Sequence, residues 1–190
     1  IYFYWNTGES QTGLNNIKTK IIPMTDRYSQ IYGEHAFQKN GFATMNSLFT
    51  WGGMENQTLT SLQANGYGSE NLVSHEYAHQ WTGDMITCAT WADIWLNEGF
   101  ATYSEALWYE YTGGYSRYKQ DINSDATQYL AANPGRPIYM PSWIKTTPGT
   151  NDLFSTAMTY NKGACVLHML RYTLGDSLFF KVLYEYGNDP

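Results

Sequence analysis

Apolar side chains recur through residues 15–32 at Ile17, Ile21, Met24, Tyr28, Ile31 and Tyr32, a spacing that predicts an amphipathic helix ending at Gly33. Pro23 lies inside the pattern and either kinks this helix or opens a second piece. Upstream, residues 1–5 are β-rich and stop at the turn signal Asn6-Thr7-Gly8. Downstream, 42–50 and 57–63 read as strands flanking the loop Trp51-Gly52-Gly53-Met54-Glu55-Asn56, and an antiparallel pair is the expected arrangement. Beyond Asn65-Gly66-Tyr67-Gly68 the pattern becomes helical. Ser69 is a cap for a helix reaching Trp81 and stopping near Gly83; a second helix covers 92–111 and ends at Gly113-Gly114. A third covers 115–132 and is closed by Asn133-Pro134-Gly135. Pro137, Pro141 and Pro148 mark a long ordered loop over 136–151, and helices over 155–174 and 177–186 finish the chain. The pattern describes one mainly helical α+β domain, with a β-containing lobe over 1–68 and a helical lobe over 69–190.

The helix over 69–81 carries His75-Glu76-Tyr77-Ala78-His79. Residues four apart on an α-helix lie about 40° apart around the axis and roughly 6 Å along it, so both imidazoles project from one face. They suit two corners of a tetrahedral zinc site, and in H-E-x-x-H the glutamate is the candidate general base, here Glu76. A catalytic zinc needs a third protein ligand. Glu98, in Trp95-Leu96-Asn97-Glu98-Gly99-Phe100-Ala101, is separated from His79 by a gap that one turn and part of a helix fill. Glu105 is two helical turns further on and shares the face of Glu98, where it would accept the second N–H of a ligating imidazole, with His79 as the expected partner. A bare H-E-x-x-H also arises by chance, but the spaced N-E-G-F-A segment weighs against that for His75, His79 and Glu98. For Glu105 a plainer alternative stays open, because Glu98, Glu105 and Glu110 could simply show acids to solvent.

Composition narrows the function classes. A formal charge of −6 with only 11 Lys and Arg excludes a nucleic-acid surface, which needs a basic stripe to neutralise phosphates. No run of 18 apolar residues exists, so no segment is expected to span a membrane. Ile1 is not an initiator methionine and the opening reads as a strand already under way, so the chain is expected to be a piece of a longer protein. Cys88 and Cys165 have no C-x-x-C spacing and read as free thiols that do not fix a compartment. The 17 Tyr and 7 Trp are explained for the most part by packing, with a peptide-binding cleft as their functional alternative. His35 and His168 match no metal spacing and read as structural.

Taken together, Gly52-Gly53-Met54-Glu55-Asn56, His75-Glu76-Tyr77-Ala78-His79-Gln80-Trp81, Trp95-Leu96-Asn97-Glu98-Gly99-Phe100-Ala101 and Tyr160-Asn161-Lys162-Gly163-Ala164 resemble the M1 family of zinc aminopeptidases over nearly the whole chain. The resemblance implies a thermolysin-like (zincin) catalytic domain, with flanking domains of the same chain as its missing partners. It implies one zinc per chain on His75, His79 and Glu98, with Glu76 polarising the attacking water. The G-x-M-E-N match implies that Glu55 takes the free α-amino group of a peptide substrate and that Gly52, Gly53 and Met54 bind substrate too. Tyr160 matches the tyrosine that stabilises the tetrahedral intermediate. Read without the family, Glu55 is better explained as a cap beside two glycines, and Tyr160 as a core or surface tyrosine. Two alternatives sit inside the resemblance. Leukotriene hydrolases share the scaffold but pair epoxide chemistry with an extra tyrosine shortly before the catalytic one, where this chain has Ser155. Inert scaffold relatives have lost zinc ligands that this chain retains.

Overall fold

Four short strands, β1 (Tyr2–Tyr4), β2 (Gly41–Thr44), β3 (Gly53–Met54) and β4 (Thr60–Leu62), make one sheet in the order β1-β2-β4-β3 in the computed structural model, which describes residues 1–132 and 135–188. The expected antiparallel pairing of the second and third strand segments is corrected: β2 and β4 run parallel, with Phe42 opposite Thr60 and Thr44 opposite Leu62. The reason is β3, which lies in the segment read as a loop. It pairs antiparallel with β4, so the chain reverses twice between β2 and β4 and returns in its original direction. The sheet is therefore mixed, with β1 also parallel to β2. Two residues are too few to show a period of two, so β3 left no signal in the hydrophobic pattern.

Helix α1 (Gln11–Tyr32) buries Leu14, Ile17, Ile21, Met24, Tyr28, Ile31 and Tyr32, the stripe read from the sequence, and continues through Pro23. The motif helix α2 (Glu70–Ala78) starts where expected, since Ser69 Oγ accepts from the Leu72 N–H at 3.2 Å. It ends at His79 rather than Trp81, because the chain turns there towards Gly83. The next two helices form one element, α3 (Trp95–Ala132), broken at Gly114, where φ of 73° is open to glycine. The expected stop at Asn133-Pro134 lies outside the described residues. After a short turn of helix, α4 (Thr150–Leu153), residues Thr156–Lys162 are wound as a π-helix that runs into α5 (Gly163–Leu174), and α6 (Asp176–Asn188) follows. The single helix expected over 155–174 is thus two kinds of helix. Among the described residues no helix is long and apolar enough to cross a membrane.

The core lies where α1, α2, α3, α5 and α6 meet. Tyr28 is fully buried and its hydroxyl is 3.1 Å from the Ser74 carbonyl of α2 and 3.2 Å from the Ser104 carbonyl of α3, joining three helices at one point. Trp81, also fully buried, donates to the Gly33 carbonyl at 2.9 Å and closes the end of α1. His35 packs against Trp81 and Tyr77, and His168 Nδ1 is hydrogen-bonded with the Tyr118 hydroxyl at 2.7 Å. Both histidines are therefore held in packing and hydrogen bonds.

Helix α3 crosses the start of α5 at close range. A Cβ on Gly99 would stand 2.8 Å from the Gly163 Cα, and one on Gly163 would stand 2.7 Å from the Gly99 Cα. Backbone therefore meets backbone beside Glu98. We expect Gly99→Ala to lower unfolding free energy by about 1–3 kcal/mol through overpacking. Urea denaturation would measure this, and a change within about 0.5 kcal/mol, as for an ordinary surface substitution, would show that the helices can part freely.

Candidate metal centre

Helix α3 retraces α2 in the opposite chain direction: Glu98 meets His79 and His75, Glu105 meets His75 and Asn71, and Trp108 meets Glu70. This arrangement brings three donor atoms into a triangle. His75 Nε2 and His79 Nε2 are 3.2 Å apart, and Glu98 Oε2 is 3.3 Å from the first and 3.2 Å from the second. A tetrahedral ion with ligands at 2.0–2.1 Å separates its donors by about 3.3 Å, so the triangle has the size that zinc requires.

The protonation of the imidazoles follows from their outer nitrogens. His75 Nδ1 lies 2.7 Å from Glu105 Oε1, and His79 Nδ1 lies 2.9 Å from the Thr82 carbonyl. A carboxylate and a carbonyl can only accept, so each Nδ1 carries a hydrogen, and it is the Nε2 of each ring that faces inward and would offer its lone pair to a metal. The expectation that Glu105 partners His79 is corrected here: it partners His75. Because the helices run in opposite directions, two turns forward on α3 lead back along α2, away from His79. Asn71, one turn before His75, donates its amide to the other Glu105 oxygen. Sequence reasoning passed over Asn71, although its position four residues before His75 on one helix face was available as a signal.

All of this is buried. His75, Glu76, His79, Glu98 and Glu105 are each less than a tenth exposed. Burial opposes charge on the imidazoles, but the carboxylates of Glu98 and Glu105 around His75 overcome it and hold that ring well above its usual range. His79 follows the same logic, with burial outweighed by Glu98 and Glu55, and is raised to about 9. Burial would likewise raise Glu98, yet the two imidazoles keep it well below the usual carboxylate range. These shifts describe one preference: without a metal, the site favours positive charge at the centre of the triangle.

Glu76 stands beside the triangle and is not part of it. Its pKa is raised to about 7, chiefly by burial, with His75 and His79 pulling it down and Glu55 and Glu98 pushing it up. One oxygen of Glu76, one of Glu55 and one nitrogen of His79 lie within 4.8 Å of one another. Gly53 in β3 makes room, because a Cβ there would overlap the Glu76 carboxylate. Tyr160 approaches from the π-helical turn, its ring stacked on His75 with centroids 5.7 Å apart. Burial first, then the charges of Glu98, Glu76 and Glu55, raise its phenol and keep it protonated. Gly52, Gly53, Met54, Glu55, Glu76 and Tyr160 all line one cleft of about 1260 Å³, which extends past Trp51, Trp91, Trp143 and Phe154.

The Glu105 contact predicts a measurable effect. Glu105→Ala is expected to weaken Zn²⁺ binding about 10- to 100-fold, by releasing the His75 tautomer and the ring's orientation. Competition against a chromogenic chelator would report it, and unchanged affinity would leave Glu105 as a structural acid.

Comparison with known proteins identifies the family. Residues 14–189 match the model of the peptidase family M1 domain. Endoplasmic reticulum aminopeptidase 2 of Bos taurus is 30% identical over 95% of this chain, and the match covers 22% of that protein. An M1 zinc metallopeptidase from Deinococcus radiodurans, solved as a crystal structure, is 31% identical with a TM-score of 0.76, across 97% of this chain and 38% of that one. Leukotriene A4 hydrolase from Saccharomyces cerevisiae superposes with a TM-score of 0.84 across 98% of this chain and 31% of its own, at 21% identity, and this likeness shows the fold alone. The chain thus spans well under half the length of the relatives it matches. The family match covers nearly the whole chain, and this chain belongs to peptidase family M1.

Proposed function

We propose that this chain is the catalytic part of a zinc-dependent aminopeptidase, which holds one zinc and removes the first residue from peptides with a free amino terminus. The observation that carries the reading is the adjacency of a donor triangle and a pair of carboxylates. Three inward donors form a triangle sized for zinc, and the carboxylates of Glu55 and Glu76 face it from within 4.8 Å of His79. An ammonium group beside Glu55 would put the first peptide carbonyl next to the triangle.

His75, His79 and Glu98 would hold the metal, which when bound supplies Lewis-acid polarisation of a carbonyl and a source of nucleophile from water at neutral pH. Glu76 takes a proton from the attacking water and delivers it to the leaving amine; burial brings its pKa to about 7, close to working pH. Tyr160 remains a phenol and donates to the oxyanion that develops on the substrate. Glu55 binds the substrate ammonium, and a blocked amino terminus would leave that carboxylate unpaired, so selection is for exopeptidase cleavage. Gly52, Gly53 and Met54 give the substrate a backbone edge, since β3 is the outer strand of the sheet. Segments beyond this chain, present in its longer relatives, would complete the walls of the cleft. An epoxide hydrolase reading draws only on fold likeness, and Ser155 offers no second phenol before Tyr160. An inert scaffold would have no use for three converging buried donors.

Two substitutions separate the roles. Glu76→Gln is expected to retain zinc and to lose turnover by at least about 100-fold, because an amide keeps the shape but cannot carry the proton. Loss of zinc along with activity would make Glu76 a ligand instead. Tyr160→Phe is expected to lower kcat about 100- to 1,000-fold with KM, zinc content and melting temperature nearly unchanged. Steady-state kinetics on aminoacyl arylamides would measure both, and an unchanged kcat would remove Tyr160 from the mechanism.

A further inference from the structure

Gln80 follows His79 directly, is fully buried, and engages both the nitrogen and the oxygen of its side-chain amide. Its Nε2 donates to the main-chain carbonyl of Glu55 at 3.0 Å and to Asp84 Oδ2 at 2.6 Å, and its Oε1 accepts from the Thr58 N–H at 3.0 Å. The segment that it grips is otherwise held at Asn56, whose carbonyl accepts from the Leu59 N–H at 2.9 Å and whose Oδ1 accepts from the Ser61 hydroxyl at 2.8 Å, and not at Glu55 itself. β3 ends at Met54, so Glu55 lies past the last rung of the ladder. Thr58 has φ of 68°, a left-handed conformation that a β-branched residue adopts only when its surroundings hold it there. Asp84 is tied back in turn, its N–H donating to the His79 carbonyl at 2.9 Å. One amide thus connects the end of the metal helix to the turn that carries Glu55.

We propose that Gln80 is a positioning residue for recognition of the substrate amino group: by fixing the Glu55 main chain to the metal helix it sets the distance between ammonium and metal, and so the register of cleavage. The proposal rests on the aminopeptidase reading above. Gln80 does not itself touch substrate. Its effect is to remove the freedom of Glu55 to follow a substrate that binds one residue out of place, at no ordering cost when the ammonium arrives.

The test compares the unaltered chain with Gln80→Met, which keeps length and volume and removes all three hydrogen bonds, and with Gln80→Leu as a differently shaped second variant. For each, zinc content, melting temperature and the affinities of L-leucinamide and N-acetyl-L-leucinamide are measured by NMR titration, together with kcat and KM on a leucyl arylamide. The variants are expected to retain zinc and to lose at least about tenfold of the preference for the free amine, expressed in Kd and KM more than in kcat. An undiminished preference in a zinc-loaded variant overturns the proposal, and so does a loss of preference that merely tracks loss of zinc. If the unaltered chain itself has no preference for the free amine, the aminopeptidase reading fails, and this proposal with it. Independently of any variant, the Thr58 amide is expected to exchange with solvent slowly despite its place in a turn; exchange at the rate of an open amide would show that the clamp is not formed.

Discussion

Three lone pairs meeting in a buried space would repel one another without a positive charge between them, and the packing of the helical half is arranged to force that meeting. Two imidazole nitrogens and one carboxylate oxygen sit 3.2–3.3 Å apart, on residues each less than a tenth exposed. Neither ring can turn away. His75 is held from behind by Glu105, which is itself held by Asn71, and His79 is held by the Thr82 carbonyl. The donors are therefore held in position from behind, by contacts that do not depend on the groups they face.

Everything else around the cleft is registered against this triangle by close backbone approach. Gly99 and Gly163 let α3 and α5 touch, and the contact lies one residue from Glu98 and three from Tyr160. Gly53 lets the sheet edge approach Glu76 closely enough that no side chain would fit between them. Larger residues at these positions would push Tyr160 and the strand that leads to Glu55 outward, away from the triangle. The acid and the phenol then acquire useful protonation states from the same burial: Glu76 rises to about 7, and Tyr160 stays protonated.

The sequence by itself determined the class of the domain, the core face of α1, the cap at Ser69, the break at Gly113-Gly114 and the donors on His75, His79 and Glu98. Each of these is a local property, set by helical period, capping chemistry or the fixed angle between residues four apart, and so it is legible without knowing what packs where. Only the tertiary structure decided the rest. The parallel pairing of β2 with β4 depended on a two-residue strand too short to carry a pattern. The partner of Glu105 depended on the direction in which α3 crosses α2, and helical period is the same in both directions. Asn71 and Gln80 looked like ordinary polar residues of a helix and a turn, and their roles exist only because Glu105 and the Glu55 main chain are brought to them from 34 and 25 residues away. Side-chain chemistry is written along the chain, but which two chemistries meet is fixed by contacts between segments, and those contacts are made only when the core closes.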